Sequence, residues 1–129
     1  MVAARRGAIR SRSRSQLQVV KFGGELLEEG RRLRALARAV CRAATLGPLV
    51  VVHGGGREVD TEMARLGITK RTVDGLRITD ADTLEVVLGV LAGRVNTRLA
   101  AAICTAGGSA VGLTGADGGI ATVAAARRY

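Results

Sequence analysis

Two apolar runs that end in consecutive glycines constrain this chain more than anything else in it. They are residues 19–24, VVKFGG, and residues 49–56, LVVVHGGG. Both are rich in β-branched residues and do not alternate in polarity, the pattern of strands buried in a parallel sheet. Both are followed by helical spacing. Glycines just past a strand let the backbone come close to a ligand and let neighbouring N–H groups turn towards an anion. A helix that opens after such a loop adds its positive end. The chain thus carries two strand–glycine–helix units suited to negative charge, on a phosphoryl or a carboxylate group.

The remaining elements follow from spacing. Residues 18–22 form the first strand. Leu33, Leu36, Ala37, Val40, Cys41 and Ala44 then make one apolar helical stripe, with Gly47 and Pro48 ending the helix. Residues 49–53 are the second strand, and 57–66 a short helix closed by Gly67. Residues 72–79 hold Asp74 and Gly75 between β-branched residues, a hairpin signal. Thr79 can cap a helix over 81–106, with Asp80 and Asp82 complementing its dipole. That helix is apolar nearly all round, so it needs cover on more than one side, and a second copy of the chain is the favoured cover. Gly89 and Gly93 allow close approach or a kink. Residues 109–113 read as a third core strand. Asp117, Gly118 and Gly119 read as the turn of a closing hairpin with 120–124 as its return strand. Alternating strands and helices imply a mainly parallel sheet with right-handed crossovers and the ligand at the strands' carboxyl ends, where both glycine clusters fall.

Composition narrows the class. A length of 129 residues suits one domain, and 47% apolar content is that of a globular chain. With only 2% aromatics, Ala, Val and Leu must build the core. No apolar run reaches the ~20 residues of a membrane span, so a soluble protein is expected. Cys41 and Cys104, without metal-type spacing, read as two reduced core thiols of a cytoplasmic protein. Of the net charge of +9, residues 1–16 contribute five arginines and no acid, leaving about +4 for the rest. That basic stretch could touch nucleic acid or serve as a transit peptide. The favoured reading is a disordered extension without a role, and nucleic-acid binding is disfavoured.

No dinucleotide fingerprint, Walker loop, His/Cys metal cluster, nucleophile elbow or triad is present. Taken together, however, VVKFGG, PLVVVHGGG, VDGLRITDADTLEVVLGVLAGRVN and AVGLTGADG, in this order and spacing, closely resemble the N-acetylglutamate kinases of the amino acid kinase family. The resemblance covers about residues 19–120, and the DGLR-x-TD stretch discriminates best. It implies an α/β fold: an open, mainly parallel three-layer α/β/α sheet of the amino acid kinase type. Residues 17–129 would be its N-terminal, acetylglutamate-binding part, ending before the fold is complete.

The resemblance also implies an activity: phosphoryl transfer from ATP, with Mg²⁺, to the side-chain carboxylate of N-acetyl-L-glutamate in arginine biosynthesis. No prosthetic group is implied. Lys21 matches the lysine that neutralises the migrating phosphoryl group; alone it would be a solvated strand-end residue. Gly23, Gly24 and Gly54 match phosphate-contacting positions, and Gly55 and Gly56 positions that hold the substrate. Arg77 matches the arginine that clamps the substrate's α-carboxylate; alone it would be an exposed hairpin residue. His53 reads as an orienting or core residue rather than a base, because an ionised carboxylate needs no deprotonation. Asp117 receives no chemistry. The family's nucleotide-binding half has no counterpart before Tyr129, so activity of this chain by itself is expected to be low. Alternatives are a non-catalytic binding or dimerisation module of the same fold, and a kinase for carrier-linked aminoadipate. The latter would have a Ser-Arg-Tyr-type sequence where this chain has Gly75, Leu76, Arg77 and Ile78.

Overall fold

The computed structural model describes residues 16–124. The basic extension expected at 1–16 lies, but for Gln16, outside the described residues. Strands β1 (Gln18–Phe22) and β2 (Leu49–His53) form where the two apolar runs predict them. They pair in parallel from Gln18 opposite Leu49 to Phe22 opposite His53, so both glycine clusters leave the sheet at the same end. The class is α/β with a parallel sheet.

The crossover between the strands is helical but interrupted. Helix α1 (Glu25–Glu28) is a single turn, Glu29 is extended, and α2 (Gly30–Ala44) then starts afresh. The first glycine pair is therefore followed by only one turn. Leu33, Ala37 and Val40 of α2 are buried, the i, i+4, i+7 stripe that the spacing predicts. Helix α3 (Gly56–Arg65) buries Val59 and Met63. Strands β3 (Thr72–Val73) and β4 (Leu76–Arg77) make the predicted hairpin. Its central residues Asp74 and Gly75 have φ of 51° and 77°, a backbone that Asp-Gly adopts readily and that matches the strand twist.

Helix α4 (Ala81–Val87), a π-helical segment (Leu88–Val95) and α5 (Asn96–Thr105) run on as one 25-residue helix, Ala81–Thr105. Its cap is Asp80 rather than Thr79. The Asp80 carboxylate accepts from the Thr83 amide at 3.0 Å, and hydrogen bonds from Thr83 hold its pKa below the usual value. By length and composition this helix could cross a membrane, contrary to the sequence-based expectation. Here its Val86, Val90, Val95, Leu99 and Ile103 instead belong to the core, which also takes Leu27, Val59 and Met63. Helix α5 packs on α2, and α3 on α4 and the π-helical segment.

Four other expectations need correction. Residues 109–113 form no strand; they line one side of a groove of about 1010 Å³ whose other side includes β2, so they have no ladder partner. Residues 120–124 form no return strand either: a 3₁₀ turn at Asp117–Gly119 leads to residues 120–124, which are exposed, with Val123 91% exposed. The strands are buried on one face only. Phe22, Leu49 and Val51 pack against the core, while Val19 and Val52 are 63% and 47% exposed. Of the two cysteines, Cys41 is partly buried and its thiol donates to the Ile103 carbonyl at 3.6 Å, whereas Cys104 is exposed. In α5 the positions facing inward are Leu99 and Ile103, and Cys104 is one step, about 100°, further round.

Candidate functional site

The parallel register brings the two glycine loops together. The Gly54 amide donates to the Phe22 carbonyl at 3.2 Å, extending the ladder past His53. A Cβ on Gly24 would stand 2.8 Å from the Gly55 Cα and 3.1 Å from its nitrogen. Backbone meets backbone there, and only glycine permits it. Gly55 is buried, and a Cβ on it would strike Leu91 at 2.8 Å and Val95 at 3.3 Å. Leu91 and Val95 of the π-helical segment thus lie against the second loop.

Among the described residues, the amides of Gly23, Gly24 and Gly55 donate to no carbonyl or side chain. Gly56 opens α3, whose first amides have no acceptor within the helix. Four N–H groups of the two loops are therefore available to an anion. Gly54 differs: its amide is taken by Phe22, and what it contributes is a close approach to Gly24, whose nitrogen is 3.8 Å from a Cβ built on Gly54.

Arg77 reaches the second loop from β4. Its Nη2 donates to the Gly56 carbonyl at 3.4 Å and to Oδ1 of Asp60 on α3. Oδ2 of Asp60 accepts from Lys70 Nζ at 2.7 Å. The Lys70 hydrogen bond, together with Arg77, holds the Asp60 carboxyl below its ordinary pKa against the opposing effect of desolvation. The Arg77 side chain is 19% exposed, and its Nε is buried without a hydrogen-bond partner.

Lys21 stands one residue before the end of β1, opposite Val52, on the sheet face that is open. It is exposed and makes no ion pair or hydrogen bond among the described residues. The two loops and Arg77 are thus gathered, with Lys21 at the adjacent strand end. His53 is partly buried, and with the proton on Nδ1 it donates to the Gly54 carbonyl at 3.3 Å, a local bond that fits an orienting residue. Asp117 accepts from the amide and hydroxyl of Thr114 at 2.5 and 2.8 Å, which holds its carboxyl below the usual pKa and fixes its own turn.

Sequence reasoning missed Asp60 and Lys70. A signal existed for Asp60: it lies four residues after Gly56 on a helix, hence on the same face. Nothing local marks Lys70. Arg57, which ion-pairs with Glu25 and Glu28 of α1 across the two loops, was also passed over as one arginine among many.

Residues 16–127 match the amino acid kinase family. Among curated proteins, the acetylglutamate kinase of Methanopyrus kandleri is 46% identical over 104 residues, which are 81% of this chain and 39% of that protein. That of Afipia carboxidovorans is 44% identical over 85% of this chain and 38% of its own length. The chain therefore spans well under half of the relatives it matches. Among solved structures, N-acetylglutamate synthase from Neisseria gonorrhoeae, complexed with coenzyme A and N-acetyl-glutamate, superposes with a TM-score of 0.61. It is 35% identical and covers 72% of this chain and 22% of that one. From the matched span and the strand–glycine geometry alike, this chain belongs to the amino acid kinase family.

Proposed function

We propose that the chain provides the acceptor-binding side of an ATP-dependent kinase that phosphorylates the side-chain carboxylate of N-acetyl-L-glutamate. In this reading a carboxylate oxygen attacks the γ-phosphorus in line while the bond to ADP breaks, its electron pair leaving on the ADP oxygen. The product is an acyl phosphate. The nucleophile is already ionised, so the protein supplies alignment and charge rather than a base.

The observation that carries the reading is the backbone contact of Gly24 with Gly54 and Gly55 at the paired strand ends, with Arg77 drawn to Gly56. The free amides of Gly23 and Gly24 face the phosphoryl oxygens, with Gly54 allowing their close approach. Gly55 and Gly56 hold the acceptor beside its reacting carboxylate, and the planar fork of Arg77 takes the α-carboxylate. Lys21 neutralises charge on the migrating group, a task suited to a mobile ammonium. Mg²⁺ enters as the companion of ATP. Among the described residues no group of three or more His, Cys, Asp or Glu could hold a metal ion.

The domain assignment, residues 17–129 as the acetylglutamate-binding part of a kinase domain, belongs to the same proposal. So do a place in arginine biosynthesis in the cytoplasm and a homodimer through residues 81–106. Leu84 and Leu88, both nearly half exposed, support the dimer.

A second reading is a module that binds acetylglutamate without transferring phosphate. The likeness to an N-acetylglutamate synthase favours it. Calorimetric titration with N-acetyl-L-glutamate, with and without ATP, separates the two. Binding of both supports the kinase side, acetylglutamate binding alone supports the module, and binding of neither overturns both.

A further inference from the structure

We propose that Asp60 is the positioning residue for Arg77, fixing its guanidinium beside the second glycine loop in the orientation that meets a ligand carboxylate. The inference rests on reading Arg77 as the α-carboxylate clamp and adds what aims it.

Three separate segments meet at this point: α3 brings Asp60, the stretch between α3 and β3 brings Lys70, and β4 brings Arg77. Asp60 uses its two oxygens separately, Oδ1 on Arg77 and Oδ2 on Lys70. With both oxygens engaged the carboxylate has no freedom to turn, and Lys70 acts as the brace. On the guanidinium, only Nη2 is occupied, by Asp60 and the Gly56 carbonyl. Nη1 donates to no group among the described residues, and Nε is buried without an acceptor.

An unpaired buried donor costs stability, and Arg77 Nε shares that condition with Arg98 Nε of the Glu58 pair, so what sets Arg77 apart is its place beside Gly56. On the same guanidinium, Nη1 is the donor left for a ligand oxygen, since both recorded hydrogen bonds are made by Nη2. The charge count agrees: two cations against one carboxylate leave a single positive charge, the complement of one ligand carboxylate. Gly56, the carbonyl that Arg77 also touches, is the position assigned to holding the acceptor, so the aimed group and the bound molecule share a wall.

The test compares two ligands on the full chain by calorimetry. N-acetyl-L-glutamate carries the α-carboxylate; 4-acetamidobutyrate keeps the acetamide and the reacting carboxylate but lacks it. Asp60→Asn is expected to weaken acetylglutamate binding about tenfold and leave 4-acetamidobutyrate unchanged. In an Arg77→Ala background, Asp60→Asn should add no further loss. Lys70→Met, which keeps the carboxylate and removes its brace, should give a smaller loss with the same selectivity. It also serves as the test if Asp60→Asn does not fold.

If Arg77→Ala loses acetylglutamate selectively while Asp60→Asn and Lys70→Met bind as wild type does, the positioning role falls and the Arg77 reading stands. If Arg77→Ala itself binds acetylglutamate as tightly as wild type, the clamp reading falls and takes this inference with it. Equal loss of both ligands in the Asp60 and Lys70 variants would mean a merely structural ion pair.

Discussion

Gly23 and Gly24 are neighbours in sequence with opposite tolerances. Gly24 has ordinary helical φ and ψ, so its constraint is space: an added methyl meets the Gly55 backbone, which cannot move aside as a flexible side chain could. Gly24→Ala is expected to destabilise by about 1–3 kcal/mol, read from urea unfolding. Gly23→Ala, with nothing within 4 Å of the new carbon, should stay within about 0.5 kcal/mol of wild type in stability. Asp60 makes a pH prediction. Its folded pKa is lowered, chiefly by Lys70, so its contribution is fully present above the unfolded value and is lost as pH falls through the folded one. The urea midpoint should therefore fall below about pH 4, and Asp60→Asn should flatten that decline. At this scale the glycine loops were legible because the close approach of two backbones there requires the residue type itself. Asp60 and Lys70 were not, because their importance lies in Asp60 meeting Arg77 and Lys70 across 17 and 10 positions of chain, which no local pattern records.

Helix α3 is the element on which the site turns. Its inner face places Val59 and Met63 in the core, and its first turn carries Gly56 beside Arg77. Its other carboxylates grip the long helix: Glu58 with Arg98 at 2.5 Å, and Glu62 with Arg94 at 3.3 Å, two i, i+4 pairs that face each other. Met63→Ala is expected to cost about 2–5 kcal/mol, measured by chemical denaturation. A double-mutant cycle on Glu58 and Arg98 should return a coupling of about 1 kcal/mol, since both are only partly exposed. The strands, the hairpin and the helical stripes were readable because each follows from residues adjacent in sequence. The strands expected at 109–113 and 120–124 were misread for the converse reason: an apolar run is a strand only where a neighbouring backbone completes its ladder. The π-helical turn was equally hidden. Gly89 and Gly93 hinted at a break, but nothing local marked the wide turn that sets Leu91 and Val95 against Gly55.

The whole molecule puts its helices' core on one face of two strands and leaves valines on the other. The groove between β2 and residues 107–115 lies along the same sheet. Leu84 and Leu88 add to this exposed apolar surface. Light scattering at micromolar concentration is expected to give the mass of a dimer, and Leu88→Lys should shift it towards monomer. Within the molecule, stiffness is unevenly shared. Backbone contact between the two glycine loops leaves them no room to close further, so they form an anvil of fixed width. The hairpin that carries Arg77 has only two residues per strand and is tied down mainly through its ion pair and the Gly56 carbonyl. Any grip on a captured molecule must therefore come from the hairpin's side, like the jaw of a vice closing on its fixed plate. In hydrogen exchange, bound acetylglutamate should slow the amides of residues 71–78 while leaving those β2 amides that bond to β1 unchanged.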